Sequence, residues 1–387
     1  MTVKALTSTG ERVAWDAIIA NYERAHPNVD IQATYVDNNQ LGALLVTQLR
    51  SGNGPDLIYT QLGAGILNSV LPLARAGYLT DLSGQPWIKR VDPQAMKLLS
   101  VNGKPYAWPL NINIPGLVAN VPLMKKMGLH QPTSFADLLK ECHQATAQGK
   151  SFFLFSAVGS GLPAIQAVIG SEFAEPTSWY DKREKGQVTF AGSKRWHSAF
   201  QHIVAMKNAG CFESHPEALT KAGLFAGFSQ GAAPFAIVFA PNIPSMQKLN
   251  PDLQAVMMPF PGDSAKSTRM IASWGSAISV SSKSKVKKTA IDIVDFFARQ
   301  GQSELYAKVN QVISPRDFRL GLLPPALKAF APLYKKKQFV PNFKTSLINA
   351  DIFSAYADGI TSVFTGQQTI DQTLKNMDAA WDEGAAK

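Results

Sequence analysis

Residues 3–60 alternate between two spacings of hydrophobic residues, one typical of strands and the other of helices. Strand-type segments at 3–6, 29–35 and 56–60 alternate with helical stripes at 15–22 and 41–49. The stripes follow the i, i+3, i+4, i+7 spacing that gives a helix one buried face. The resulting β-α-β-α-β order predicts a parallel sheet with helices packed on its faces.

Polar residues follow all three of these strands. Parallel sheets of this kind bind ligands outside the carboxyl ends of their strands. Each polar residue could instead cap a helix or form a turn, and Asp37 and Asn38 precede a helical stripe in the way that caps do. Their coincidence at one edge of the sheet nevertheless favours a binding site. The residues are Ser8 and Thr9, Asp37 and Asn38, and Gln61.

The segment 102–120, NGKPYAWPLNINIPGLVAN, is where we expect the chain to leave one sheet and enter another. Pro109 and Pro115 argue against one long central strand because proline cannot donate to a sheet ladder. Asn111 and Asn113 lie between two apolar runs, so their amides are candidates for a polar site at this crossing.

Length and composition indicate a folded protein of two domains. The chain has 387 residues, of which 45% are hydrophobic and 17% charged. Its apolar runs all fall short of the ~20 residues of a membrane span. The first residues, MTVKALTSTG, do not have the form of a secretory leader. We therefore expect either a cytoplasmic protein or a mature secreted form in which Met1 replaces the leader.

A formal net charge of +10 raises the question of nucleic acid or acidic ligands. Lysines cluster at 283–288 and at 335–337, but neither cluster is interleaved with aromatic residues as in nucleic-acid readers. A solvated surface is the favoured explanation, and we expect no nucleic-acid partner.

The two cysteines, Cys142 and Cys211, allow two interpretations. Cys142 continues a helical stripe with Phe135 and Leu138, which predicts a buried helix face. We favour two small core residues over a disulfide, although a bridge is possible if the two segments are neighbours.

The sequence lacks the motifs of the common enzyme and metal sites. The six histidines show no i, i+4 pair, and the cysteines are far from CxxC spacing. There is no GxSxG, no GxxxxGK[ST] and no GxGxxG. We therefore expect no metal, no cofactor and no catalysis. Carboxylates paired across a cleft, as in glycosidases, are how this expectation could fail, because they need not be close in sequence.

Taken in order, several segments resemble family 1 extracellular solute-binding proteins of ABC importers. Each motif is weak by itself, but the ordered set is specific for the family, although not for the ligand. Two departures, Ala119–Val121 where the family has YNK and Phe135 where it has Trp, leave the implied fold unchanged. The segments are AWDAIIANYERAHPNVDIQATYVD, SGNGPDLIYTQ, NGKPYAWPLNINIPGLVANVPLMKKMGL, PTSFADLL, LFAGFSQGAAPFAI, IASWGSAIS, VDFF, ISPR and VFTGQQTIDQTL.

The resemblance implies a two-lobed α/β protein with the type II-like periplasmic binding protein fold. Each lobe would be a mostly parallel sheet flanked by helices, with a hinged cleft between the lobes. One lobe would comprise residues 1–110 and 265–313, and the other 111–264 and 314–387. The resemblance also implies a monomeric mature protein, periplasmic or extracellular and membrane-associated, that works with the permease subunits of an ABC transporter.

A sugar needs hydrogen-bonding groups for its hydroxyls and an aromatic face for its ring. We expect Trp274 to be the aromatic platform, since Gly275 beside it permits close approach. The alternative for Trp274 is a position in the core. For Trp108, a position in the core and one in the cleft are about equally supported. The polar candidates are Ser8, Thr9, Asp37, Asn38, Gln61, Asn111 and Asn113, with Ser156, Ser160 and Asn242 answering from the other lobe.

Three functions fit these residues. The first is a carrier of a sugar or sugar derivative, either a mono- or an oligosaccharide. The second is a carrier of an organic anion or phosphorylated polyol, motivated by the +10 charge and by Arg316. Arg316 could instead pair with a carboxylate of the protein, which we favour. The third is an enzyme with carboxylates in the cleft. We expect the first.

Overall fold

The computed structural model describes residues 1–156, 176–216, 218–340 and 346–385. The chain divides into two compact units. The first unit comprises Met1–Ile112, Trp274–Leu322 and Leu347–Ala350, and the second comprises Asn113–Ser273, Leu323–Ser346 and Asp351–Lys387.

Strands and helices of the described residues are numbered in chain order. The strands are β1 (Thr2–Ser8), β2 (Asp30–Val36), β3 (Leu57–Gln61), β4 (Ser100–Val101), β5 (Lys104–Pro105), β6 (Trp108–Pro109), β7 (Ile112–Asn113), β8 (Pro115–Asn120), β9 (Phe153–Leu154), β10 (Phe235–Phe239), β11 (Ala255–Met258), β12 (Met270–Ile271), β13 (Ser273–Trp274), β14 (Ser276–Val280) and β15 (Phe339–Val340). The helices are α1 (Arg12–Ala25), α2 (Asn38–Arg50), α3 (Val70–Arg75), α4 (Pro93–Leu99), α5 (Val121–Lys126), α6 (Phe135–Thr146), α7 (Thr177–Glu184), α8 (Lys194–Asn208), α9 (Lys221–Ser229), α10 (Ile243–Leu249), α11 (Lys287–Phe297), α12 (Gln300–Val309), α13 (Pro315–Leu320), α14 (Ala331–Lys335), α15 (Ala350–Thr365) and α16 (Ile370–Ala385).

The first unit is built on a five-stranded sheet of order β2-β1-β3-β14-β6. Strand β1 runs parallel to both β2 and β3, with helices α1 and α2 as the connections. The β-α-β-α-β order predicted from the hydrophobic spacing is therefore confirmed. Strand β14 runs antiparallel to β3 and β6 and closes this sheet with residues from much later in the chain.

Helix α1 buries the face that its apolar spacing predicts. The Trp15 ring lies 5.0 Å from that of Phe297, and the Tyr22 ring contacts Phe296 edge-on at 5.2 Å. The Tyr22 hydroxyl also donates to Asp292 at 2.7 Å, which satisfies its polar end. These contacts pack α1 against α11 and make the two helices part of the core of the first unit.

The second unit is built on a four-stranded sheet of order β11-β8-β10-β9. Strand β8 is buried along its whole length. A Cβ atom at Gly116 in β8 would lie 2.5 Å from the carbonyl oxygen of Met258 in β11. Backbone atoms cannot easily move away from such a contact, so this pair of strands requires glycine at position 116.

The direction of two strands differs from the expected mostly parallel sheets. Strand β8 runs antiparallel to β10 and β11, just as β14 runs antiparallel to its neighbours in the first unit. Each of these strands begins just after the chain passes from one unit into the other, near Asn113 and Trp274.

Helix α16 is attached to α7 through the buried Arg183. This guanidinium group donates to Asp382 at 2.7 Å, lies 3.3 Å from Asp378 and lies 5.5 Å from the ring centre of Trp381. The Asp378 carboxylate also accepts from the backbone amide of Phe190 at 2.7 Å. A buried charge is tolerated only when it is paired and hydrogen-bonded, and these contacts meet that requirement.

No helix within the described ranges could span a bilayer. The helices α15 and α16 have 16 residues each, below the ~20 apolar residues that a span requires.

The two cysteines form a disulfide, so the preference for two unpaired core residues was wrong. Cys142 lies on the buried face of α6 as predicted, and Cys211 follows α8; their Cα atoms are 5.0 Å apart. Each residue occupies a buried position, which is why the local spacing around Cys142 resembles that of an ordinary core residue. The disulfide forms because two segments 69 residues apart in the chain lie next to each other. The spacing of residues around Cys142 gives no information on that approach.

We expect loss of this disulfide to destabilise the second unit markedly. Closing a loop of 69 residues removes chain entropy from the unfolded state worth about 4 kcal/mol. The variant C142A/C211A should therefore have a lower urea midpoint than the oxidised protein, measured by circular dichroism. The wild type reduced with dithiothreitol is the matched comparison and should show the same lower midpoint as the variant. Equal midpoints for oxidised protein and variant would contradict this account.

Candidate ligand-binding edges of the two sheets

Strand register brings several candidates of the first unit to one edge of its sheet. Ser8 pairs with Val36, so Asp37 follows directly beside it. Leu6 pairs with Ile58 on β3, and Gln61 at the end of β3 pairs with Ser276 at the start of β14. The carboxyl ends of β1, β2 and β3, with the start of β14, are called the first edge.

Ser8 ends β1, and Thr9 begins the connection to α1. Ser8 is buried, and its Oγ accepts from the backbone amide of Gly10 at 3.2 Å. Thr9 is exposed and begins a short 3-10 helix, Thr9–Glu11. Of the two hydroxyls, the one of Thr9 therefore faces solvent.

Asp37 and Asn38 are exposed at the end of β2, where α2 begins. The carbonyl oxygen of Asp37 accepts from the amide of Leu41 at 2.9 Å, the first bond of the helix. The helix-start role that the sequence allowed is therefore present in the backbone. The side chains of Asp37 and Asn38 remain exposed at the first edge.

Glu11 lies at the centre of a buried hydrogen-bond network behind the first edge, and the sequence did not single it out. Its side chain is 7% exposed. Oε1 accepts from the hydroxyl of Tyr59 at 3.1 Å, and Oε2 accepts from the hydroxyl of Tyr306 at 2.5 Å and from Asn310 Nδ2 at 2.6 Å. Three donors stabilise the carboxylate where water does not reach it.

Two candidates from the sequence, Gln61 and Asn111, belong to this network. Gln61 is half-buried, and its Nε2 donates to the Tyr59 hydroxyl oxygen at 3.0 Å. Asn111 is 1% exposed; its Nδ2 donates to Ser276 Oγ at 3.0 Å, and its Oδ1 accepts from the Ser276 amide at 3.1 Å. The amide of Asn111 thus anchors β14 to the crossing segment.

Burial and the nearby charge of Glu11 raise the pKa values of Tyr59 and Tyr306 well above the ordinary value for tyrosine. Desolvation is the larger cause, since the phenolate would be buried. Both hydroxyls therefore keep their hydrogen at physiological pH and act as donors to Glu11.

Trp274 and Gly275 immediately precede β14. Trp274 is 7% exposed, and its ring contacts Phe318 edge-on at 6.2 Å. The amide of Gly275 donates to the carbonyl of Asn111 at 3.0 Å, and its carbonyl accepts from Leu62 at 3.1 Å. These bonds fix the backbone beside the indole. The role of Trp274 as a sugar platform stays a prediction.

Trp108 lies in the core of the first unit, among residues that include Trp87 and Ile278. It is 4% exposed, its ring lies 5.2 Å from that of Trp87, and β6 pairs it with Ile278. The guanidinium of Arg90 lies 5.8 Å from its ring centre. Of the two positions considered for Trp108, the structure places it in the core.

Arg316 pairs with carboxylates of the protein. Its Nη1 donates to Glu304 at 2.8 Å and lies 3.7 Å from Asp317. The positive charge that motivated an anionic ligand is thus balanced within the first unit.

The described candidates of the second unit also share one edge of a sheet. Strand β10 pairs Phe239 with Pro115, so Asn113 precedes and Asn242 follows this pair. The amide of Ala240 donates to the carbonyl of Ile114 at 3.2 Å, which joins the two segments. Both asparagines are half-buried, and Ser156, which follows β9, is buried. Ser160 lies outside the described residues. These ends of β9 and β10, with the start of β8, are called the second edge.

One described group in the second unit has the composition of a metal site. The ligand atoms of His130, Asp137 and Glu141 lie within 4.8 Å of one another. They already serve the protein, because Asp137 accepts from the Thr133 amide at 2.9 Å and Glu141 accepts from the His130 amide at 2.9 Å. His130 Nε2 lies 3.1 Å from Glu141. Ion pairing and capping account for the group.

Comparison with known proteins shows the family to which this chain belongs. The family model for bacterial extracellular solute-binding proteins matches residues 7–304, well over half of the chain. The chain therefore belongs to this family, as its sequence resemblance suggested.

Named relatives are distant in sequence. The multiple sugar-binding protein of Streptococcus mutans serotype c is 20% identical over 303 residues, which is 76% of this chain and 70% of the relative. The melibiose/raffinose/stachyose-binding protein MelE of Bacillus subtilis is 25% identical over 142 residues, which is 36% of this chain and only 32% of the relative.

Solved structures share the fold over the whole chain. A chitin oligosaccharide binding protein has a TM-score of 0.84 at 15% identity and covers 100% of this chain and 99% of its own. The GacH receptor of Streptomyces glaucescens has a TM-score of 0.80 at 18% identity, and the match covers 100% of this chain and 98% of the receptor chain. At such low identity, the likeness concerns the fold.

Removing the Glu11 carboxylate should destabilise the first unit. In Glu11→Ala, three buried donors lose their acceptor, at a net cost of about 2–4 kcal/mol. The midpoint of urea unfolding should fall accordingly. Glu184→Ala, which removes an exposed carboxylate, is the control and should change the midpoint little. A Glu11→Ala midpoint equal to that of the control would show that the network contributes nothing.

Proposed function

We propose that the chain is the substrate-binding component of an ABC importer that captures a sugar or sugar derivative, either a mono- or an oligosaccharide. The observation that carries the proposal is the first edge, where strand register places residues with hydroxyl, carboxylate and amide side chains at three neighbouring strand ends. Membership of the solute-binding family and relatives named for sugars support it.

The side chains of the two edges match the chemistry of a sugar. Hydroxyls of the ligand need donors and acceptors, since a buried polar group left unpaired costs about 1–3 kcal/mol. Thr9, Asp37 and Gln61 supply such groups at the first edge, and Asn113 and Asn242 supply amides at the second. Trp274 would cover an apolar ring face. Micromolar affinity requires only about −8 kcal/mol, which a few such contacts provide.

The proposal places the protein outside the cytoplasm, in the periplasm or attached to the outer face of the membrane. The family is extracellular, and the disulfide Cys142–Cys211 suits an oxidising compartment. The chain would act as a monomer, deliver its ligand to the permease subunits and catalyse no reaction.

An anionic or phosphorylated ligand has less support than a sugar. The cation that motivated it, Arg316, is engaged by Glu304. The net charge of +10 remains, but charge spread over a surface acts on solubility and encounter rates more than on the choice of ligand.

A thermal-shift screen with raffinose, stachyose, chitobiose, xylobiose, glucuronic acid and glycerol phosphate tests the proposal. At least one neutral sugar should raise the melting temperature, because a ligand stabilises the state that binds it. Stabilisation by the anions alone would contradict the proposal. Turnover of a hit, followed by chromatography, would reveal an enzyme instead.

The role of Trp274 is tested with two substitutions of similar size. Trp274→Leu should weaken binding of the sugar hit about 5- to 30-fold, because stacking on an aromatic ring contributes about 1–2 kcal/mol. Trp274→Phe keeps a ring and should retain most of the affinity, measured by isothermal titration calorimetry. Equal losses in both variants, or none in either, would contradict the platform role.

A further inference from the structure

Hydrogen bonds around Glu11 have a fixed direction. An ionised carboxylate has no hydrogen and can only accept. The Tyr59 hydroxyl has one hydrogen, and it is donated to Glu11 Oε1 at 3.1 Å. The Tyr59 oxygen can therefore only accept from its remaining neighbours.

This direction determines how Gln61 is oriented. Its Nε2 donates to the Tyr59 oxygen at 3.0 Å. Turning the amide over would place its oxygen against the phenol oxygen, so that two acceptors would face each other. No residue of the described ranges donates to Gln61 Oε1. The half-buried amide at the first edge thus offers an acceptor to a molecule outside the chain.

Two further hydrogen bonds hold the Glu11 carboxylate where it can accept from the Tyr59 hydroxyl. Oε2 accepts from the hydroxyl of Tyr306 at 2.5 Å and from Asn310 Nδ2 at 2.6 Å, both on helix α12 or directly after it. These two hydrogen bonds fix Oε2 in place, and Oε1 remains in position to accept from the Tyr59 hydroxyl.

We propose that Glu11, acting through Tyr59, is a positioning residue that makes Gln61 present its carbonyl oxygen, and that this selects a hydroxyl-bearing, uncharged ligand over an anionic one. A sugar hydroxyl can donate to Gln61 Oε1. An ionised carboxylate has no hydrogen to donate, and its oxygens would face the Gln61 carbonyl oxygen as a second acceptor. The inference rests on the proposed function, since it requires a solute at the first edge.

Tyr59→Phe is the direct test. It removes the acceptor of Gln61 Nε2, so the amide can turn and offer its nitrogen to an anion. Tyr22→Phe is the matched control, because it removes another buried hydroxyl that donates to a carboxylate in the same unit, that of Asp292, outside the Glu11 network. The ligand pairs are melibiose and raffinose, each with its galacturonic analogue oxidised at C6 of the galactose ring.

Calorimetry gives the preference for the neutral member of each pair. The wild type and Tyr22→Phe should bind the neutral ligand about tenfold or more tighter than the anionic one, which corresponds to the free energy of one hydrogen bond. In Tyr59→Phe, this ratio of affinities should be about three- to tenfold smaller. An unchanged ratio in a Tyr59→Phe variant that still binds raffinose would overturn the inference and leave the proposed function standing. If Tyr59→Phe does not fold, Glu11→Gln replaces it, since its amide can donate to Tyr59 and reverse the direction.

Nuclear magnetic resonance tests the orientation without any ligand. The side-chain amide signal of Gln61, assigned by its loss in Gln61→Glu, should resist hydrogen exchange in the wild type and in Tyr22→Phe. In Tyr59→Phe, it should exchange like a solvated glutamine. If no sugar binds the wild type, the proposed function fails, and this signal alone decides the positioning role. A Gln61 amide that exchanges freely in the wild type would refute that role.

Discussion

A carboxylate placed away from water must be surrounded by donors, and in this protein that requirement falls on Glu11. Its donors come from Tyr59, Tyr306 and Asn310, which are 48, 295 and 299 residues away along the chain. Leaving the charge without them would cost several kcal/mol. The segments 1–112 and 274–322 of the first unit therefore meet at this point, behind the edge that carries the candidate ligand contacts.

The same network gives the edge its chemical character. A carboxylate that only accepts makes each tyrosine donate inward, and the Tyr59 oxygen then accepts from Gln61. Rigid presentation of a polar group lowers the entropy lost when a ligand binds. The candidate ligand residues of the first edge thus depend for their orientation on buried residues behind them.

Elsewhere, packing showed where two residues lie that local sequence left open. Trp108 stands beside Pro109, and it pairs with Ile278 in the core of the first unit. Arg316 lies three residues after Ile313, where the chain pairs with Ile112, and Glu304 on α12 neutralises it. A net charge of +10 therefore does not indicate a cationic binding site.

Local sequence patterns were sufficient for the features that depend on neighbours a few residues apart. The buried faces of α1 and α6, the ends of β1, β2 and β3 and the polar residues that follow them all arise from spacings of two to seven residues. The resemblance to the solute-binding family rested on short sequence motifs in a fixed order, which are also read from the sequence directly. The Cys142–Cys211 pairing, the antiparallel direction of β8 and β14 and the hydrogen bonds of Glu11 became visible only in the folded chain. Each of these joins segments far apart in the chain, and the free energy that brings them together comes from packing and from pairing of buried polar groups, which local spacing does not encode.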